Sequence, residues 1–115
     1  MINNQKVIAF DVDDTLIIPD VASGFDRDTP NYENIRLFKY FQDIGCYMII
    51  WSGGGQDYAK TWAEKLGLRA DEYPSKEKRD DIDIAFDDCD VKLGKVNIKV
   101  KRLNNAISRK DWNKH

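Results

Sequence analysis

Histidine occurs once in these 115 residues, at the last position, and cysteine twice, at Cys46 and Cys89. One terminal imidazole leaves almost no room for His-based acid/base catalysis or His-rich metal sites. The two cysteines stand far apart and form no Cys-x-x-Cys, which argues against a zinc site or a disulfide framework. A reducing, cytoplasmic setting is the default that follows. No apolar run approaches the ~20 residues of a membrane-spanning helix. The opening, MINNQKVIAFD, has one lysine and an early aspartate, unlike a secretory signal peptide. Disorder is disfavoured too: 42% of the residues are hydrophobic, and twelve of the thirteen aromatics precede the last ten positions. The length suits one domain, residues 1–115, around one core.

The net charge of −2 hides an asymmetry. From Val91 to His115 there are eight Lys and Arg against a single acid, Asp111, while the first ninety residues carry ten bases and nineteen acids. A basic end on an acidic body suits an anionic partner such as nucleic acid. A solvated edge strand and surface helix would account for the same residues.

Short apolar runs alternate with helical stretches, the pattern of a parallel α/β sheet. Lys6–Phe10 reads as a buried first strand ending at Asp11. After a loop punctuated by Pro19 and Gly24, Thr29-Pro30 reads as an N-cap followed by proline at the first helical position. The helix continues through Ile35, Phe38, Phe41 and Ile44 to a stop at Gly45. Cys46–Trp51 is a second buried strand, followed by a helix from about Gln56 to Leu66 that Gly67 ends. A short strand near Leu68–Tyr73 and a fourth, Ile82–Phe86, come next. Val96, Ile98 and Val100 alternate with polar residues as in an edge strand, and Leu103–Trp112 reads as a terminal helix. The expected fold is a single Rossmann-like three-layer sandwich with a mainly parallel central sheet. In such sheets the carboxyl ends of the strands line the ligand crevice. Asp11, Ser52, Lys76 and Asp87 all fall at or just beyond such ends.

The stretch Asp11-Val12-Asp13-Asp14-Thr15 puts three carboxylates within four residues, which repel unless a cation compensates them. Mg²⁺, bound by carboxylates, a carbonyl and waters, is such a cation. An extended backbone would set Asp11 and Asp13 on one side, one to attack and one to handle a proton. An acidic turn capped by Thr15 is the plainer explanation. Ser52 precedes Gly53-Gly54-Gly55, where a hydroxyl and open backbone suit a phosphoryl group near a helix N-terminus. An ordinary turn with Ser52 or Asp57 as helix cap would look the same. Lys76 can neutralise phosphate charge, with Lys78 and Arg79 as close rivals. Asp87-Asp88, paired acids closing an apolar strand, can complete a metal site with Asp11, or cap the following turn as Asp90 also could.

Taken in order, DVDDTL after strand one, Ser after strand two, then Lys, then Asp-Asp resembles the haloacid dehalogenase-like phosphohydrolase superfamily over about residues 5 to 90. That resemblance implies an Mg²⁺-dependent phosphomonoester hydrolase. Asp11 would be the nucleophile that forms an aspartyl-phosphate, and Asp13 the general acid/base. Asp11, the carbonyl of Asp13, and Asp87 would hold the metal, with Asp88 sharing or taking that role. Ser52, Gly53 and Lys76 would hold the phosphate, and Thr15 would brace the loop. Three departures stand out. Asp14 occupies a position where many members have glycine, Phe86 does the same before Asp87, and the lysine is Lys76 or Lys78.

Cap domains of that family enter after the first motif or between the Ser and Lys motifs. Neither interval here holds one, leaving the loop Ile17–Asp28, with Phe25 and Arg27, as the local lid. An open crevice suits a phosphate on a large molecule, and the basic tail makes a nucleotide or polynucleotide phosphate the first expectation. Two other classes compete. One is a phospho-accepting receiver module, although its acceptor follows the third strand. The other is a non-catalytic phosphate- or nucleic-acid-binding protein on the same scaffold.

Overall fold

The computed structural model describes residues 5–19 and 28–103. Its centre is a four-stranded, all-parallel sheet built from β1 (Val7–Asp11), β4 (Tyr47–Trp51), β5 (Ile84–Asp87) and β6 (Val96–Lys99), in the order β4-β1-β5-β6. Two helices, α1 (Tyr32–Asp43) and α2 (Gln56–Lys65), accompany it. The α/β fold with a parallel sheet expected from the sequence is what forms. No described helix is long and apolar enough to cross a membrane.

Alternation along β1 divides the core. Ile8 and Phe10 point to one face, where they meet Met48 and Ile50 of β4, Ile35 and Phe38 of α1, and Ala59 and Ala63 of α2. Phe10 stacks on Phe86 with ring centroids 4.4 Å apart and meets Phe38 edge-on at 5.4 Å. Such ring pairs add about 0.5–1.5 kcal/mol each to the burial of their area. Ala9 points to the other face, packed with Ile49, Trp51, Ala85 and Ile82, and Leu93 closes over them. Both helices therefore contribute to the same face. Among the described residues the second face is covered by loop rather than helix.

Polar side chains decide where several elements begin and end. Asn31 caps α1 by accepting from the Asn34 N–H at 3.4 Å, so the helix starts two residues later than Thr29-Pro30 suggests. Thr29–Pro30 instead forms β3, an antiparallel partner of β2 (Ile17–Ile18). At 68–73 a single bridge, Ile49 to Glu72, replaces the expected short strand. There the Asp71 carboxylate takes the Met48 N–H at 2.7 Å, a bond that a strand carbonyl would otherwise make. Asp83 acts likewise on the Val7 N–H at 2.8 Å, and β5 starts at Ile84, two residues later than expected, and ends one later, at Asp87. Gly45 and Gly67, at φ +91° and +70°, end the helices as anticipated. The β6 edge differs from a half-wet strand: Val96 is 52% and Ile98 41% exposed, and Val100 beyond it packs on the core. The expected terminal helix lies almost wholly outside the described residues, as does the part of the lid loop holding Phe25 and Arg27.

Asp83 is held below the usual carboxylate value of 3.8, first by the Val7 N–H and then by Lys95. Asp81 is held low chiefly by Arg79. A depressed folded-state pKa gives stability that is complete above the unfolded value and is lost as pH falls through the folded one. Urea unfolding should therefore give a flat plateau at neutral pH and a falling limb below about pH 4. Asp83→Asn should lower the plateau by about 1 kcal/mol and flatten the limb. Parallel wild-type and variant curves would show that Asp83 carries no acid sensitivity.

Candidate active site

Leaving β1, the chain passes through α1 to β4 on one side, and later returns to β5 on the other. The carboxyl end of β1 thus sits where the strand order reverses, the usual place for a ligand crevice in such sheets. Asp11 pairs in register with Trp51, Phe10 with Phe86, and Asp87 with Lys99, so Trp51, Asp11, Asp87 and Lys99 form one row across the sheet. Asp11 and Asp87 follow Ala9 and Ala85 by two residues and face the loop-covered side.

Both carboxylates are buried, and both meet one cation. Lys76 Nζ lies 2.9 Å from Asp11 Oδ1 and 2.5 Å from Asp87 Oδ2. Asp87 Oδ1 also accepts from the Cys89 N–H at 2.9 Å. The choice among three cationic residues is resolved geometrically. Lys78 is exposed, and Arg79 is bound to Glu72 at 2.8 Å and to Asp81 at 2.7 Å. The pairing with Glu72 anchors the segment that delivers Lys76, because Glu72 also accepts from Tyr47 Oη of β4.

After β1 the backbone turns tightly, with the Val12 carbonyl accepting from the N–H groups of Thr15, Leu16 and Ile17. Asp14 reaches φ +64° within this turn, a conformation that glycine adopts freely and aspartate tolerates better than most residues. Glycine and aspartate are thus both workable at this point. Asp13 Oδ1 accepts a 2.8 Å hydrogen bond from Tyr58 Oη of α2. Thr15 braces the loop through its backbone, since Asn34 Nδ2 donates to its carbonyl at 2.8 Å. Its buried hydroxyl has no hydrogen-bond partner among the described residues, so it caps nothing there. Phe86, the other departure, turns its ring to the opposite face and fills core against Phe10 and Phe41.

Ser52 is buried, and its Oγ accepts from the Gly54 N–H at 3.0 Å. That leaves the hydroxyl proton to be donated elsewhere. Neither Ser52 nor Asp57 caps α2; the cap position is Gly55, at φ +106° and with no side-chain hydrogen bond. Close approach falls at Gly54 rather than Gly53. A Cβ on Gly54 would stand 3.1 Å from the Tyr58 ring, whereas one on Gly53 would meet open space. Gly54 therefore lets Tyr58 lie over the turn and reach Asp13.

Asp88 is buried beside Asp87 and pairs with Arg102 at 2.9 Å. One ligand atom each from Asp87, Asp88 and Cys89 fall within 4.8 Å of one another. The donors bear on Mg²⁺ as follows. Asp11 and Asp87 present buried hard oxygens that converge on a single cationic atom, the Lys76 ammonium, so their spacing and chemistry fit a small oxygen-seeking cation. Asp88, within the Asp87–Asp88–Cys89 group, also pairs with Arg102. Tyr58 and Arg102 are the two site residues that the sequence reading missed. The pairing of Tyr58 with Asp13 spans 45 positions and has no local signature.

Removing Lys76 would leave two buried carboxylates facing each other. Lys76→Met, measured by urea unfolding in EDTA at neutral pH, should cost about 3–5 kcal/mol. Lys78→Met should change stability by no more than about 0.5 kcal/mol. Equal effects would contradict the arrangement. Neither a family model, nor a curated protein, nor a solved structure matches this chain.

Proposed function

We propose that the protein is an Mg²⁺-dependent phosphomonoester hydrolase acting through an aspartyl-phosphate on Asp11. The observation that carries this reading is the convergence of Asp11 and Asp87, buried on neighbouring strands, upon one cationic position at the reversal of strand order. Structural ion pairs seldom need two fully enclosed acids for one lysine. A site that must receive a phosphate and a metal does need them.

Asp11 attacks phosphorus in line, and the bond to the leaving oxygen breaks as the aspartyl-phosphate forms. Asp13 gives a proton to that oxygen and later takes one from the hydrolytic water. Tyr58 fixes the Asp13 carboxyl by its hydrogen bond to Oδ1. Ser52 donates its hydroxyl proton to an equatorial phosphoryl oxygen, aided by the N–H groups of the α2 N-terminus, where the cap residue Gly55 makes no side-chain hydrogen bond. Lys76 swings its ammonium from the two carboxylates to the phosphate. Mg²⁺, held by Asp11, Asp87 and the Asp13 carbonyl, would supply the charge neutralisation that lets an anionic nucleophile approach an anionic ester.

Phosphate release from p-nitrophenyl phosphate, with Mg²⁺ or EDTA, tests the proposal. Turnover should require Mg²⁺, vanish in Asp11→Asn, and fall by about 10²–10⁴-fold in Asp13→Asn. Turnover that survives Asp11→Asn would sink the assignment of the nucleophile. Phosphate that stays on the folded protein without turnover would favour the receiver class.

A further inference from the structure

The row Trp51–Asp11–Asp87–Lys99 continues the candidate active site one strand beyond its acids. Parallel strands lie about 4.8 Å apart, which puts Lys99 roughly 10 Å from Asp11 across the sheet. Lys99 shares its side of the sheet with both carboxylates, because residues in register on parallel strands point the same way. Lys101, two residues on and past the end of β6, lines the same pocket as Lys99. Between them and Asp88 opens a pocket of about 570 Å³, also lined by Val100 and Arg102. Asp88 already holds Arg102 at 2.9 Å, so the pocket charges with no ion pair among the described residues are Lys99 and Lys101 against Asp90. The segment 91–103 contains five bases and no acid.

From this placement we infer that Lys99 and Lys101 form a second anion subsite, and that the substrate is the phosphorylated end of a polynucleotide. The inference rests on the phosphohydrolase reading of the adjoining site. A terminal phosphate at Asp11 places the next phosphodiester of the chain within reach of a lysine two strands away. A phosphate on a small sugar offers no such second charge, and a phosphoprotein carries none at a fixed distance. The open flank and the positive charges at and beyond the end of β6 follow a backbone rather than enclose a molecule.

Two readouts on the full chain separate this inference from the catalytic one. The first is binding of a terminally phosphorylated, fluorescein-labelled oligothymidylate to Asp11→Asn protein in EDTA, followed by anisotropy across a salt series. Adding Lys99→Ala/Lys101→Ala should weaken binding about tenfold and reduce the salt slope by about 1.4, as loss of two single-strand phosphate contacts requires. Adding Lys39→Ala/Lys65→Ala instead, which removes the same charge from the helices, should leave both nearly unchanged. Asp90→Asn should tighten binding, a gain that misfolding cannot imitate. Equal effects of the two lysine pairs, or no effect of either, would overturn the subsite. The second readout is kcat/KM. In otherwise wild-type protein, the Lys99/Lys101 pair should lower it for the oligonucleotide and not for p-nitrophenyl phosphate, and an equal fall for both would overturn it too. Should hydrolysis fail for every substrate while the binding pattern holds, the subsite stands and the hydrolase reading falls.

Discussion

Two buried carboxylates share one ammonium at the carboxyl edge of the sheet, and the rest of the molecule is arranged around that contact. Asp11 and Asp87 end the two innermost strands and are both buried, so their charges need a partner from elsewhere in the chain. Lys76 supplies it from a loop. A buried ion pair seldom gains on an apolar replacement of equal shape, because desolvation offsets most of the attraction. Keeping three charges here therefore works against stability. The compensation lies in what such a cluster can do once another cation or an anion arrives, since each group can exchange one partner for another.

The same reliance on acidic side chains recurs away from the crevice. Asp71 and Asp83 each take a backbone N–H from a strand they flank, at Met48 and Val7 respectively. These carboxylates stand in for ladder carbonyls, shortening the strands while keeping buried donors satisfied. Arg79 then ties Glu72 to Asp81, so the stretch 72–81, between α2 and β5, is pinned at both ends without a helix. Lys76 sits between those pins. The position of Lys76 is thus set by pairings away from the two acids it meets.

Strong periodic signals made most of the architecture legible in the sequence. The apolar runs ending at Asp11, Trp51 and Phe86, and the glycine stops at 45 and 67, located the strands and helices to within a few residues. Their order also placed Asp11, Ser52, Lys76 and Asp87 at the crevice. What stayed hidden depends on distance in the chain. Asn31 was passed over as a cap because Thr29-Pro30 offers the stronger local motif, and only pairing with Ile17–Ile18 removes those residues from the helix. Lys76, Lys78 and Arg79 look equivalent in a charged run, and nothing local says that Arg79 is claimed by Glu72. Tyr58 reads as one more aromatic on an amphipathic helix until the Gly54 turn brings it over Asp13. Nothing in the sequence announces that Asp88 pairs with Arg102, fourteen positions on.

The distribution of layers bears on access. Both described helices contribute to the core around Phe10 and Phe86, whereas Asp11, Asp87 and Lys99 point to the side where loop takes the place of a helix. A helix there would cross the row at its acids and close the way toward β6. Loop covering lets Ile82 and Leu93 seal the apolar part of that face over Ala85 and Trp51 while the polar end of the row stays approachable. Gly94 makes the seal possible, since a Cβ at that position would come within 2.8 Å of Ile82 Cγ2. One glycine thus lets the chain lie flat enough to bury the apolar half of the face, and the acidic half inherits an open flank that ends in lysines. An enclosed site would have to exclude large esters to exclude water. On the proposed reading, this site, with neither a cap domain nor a second helical layer among its described residues, meets the opposite constraint: it would hold its substrate by charge along the sheet edge.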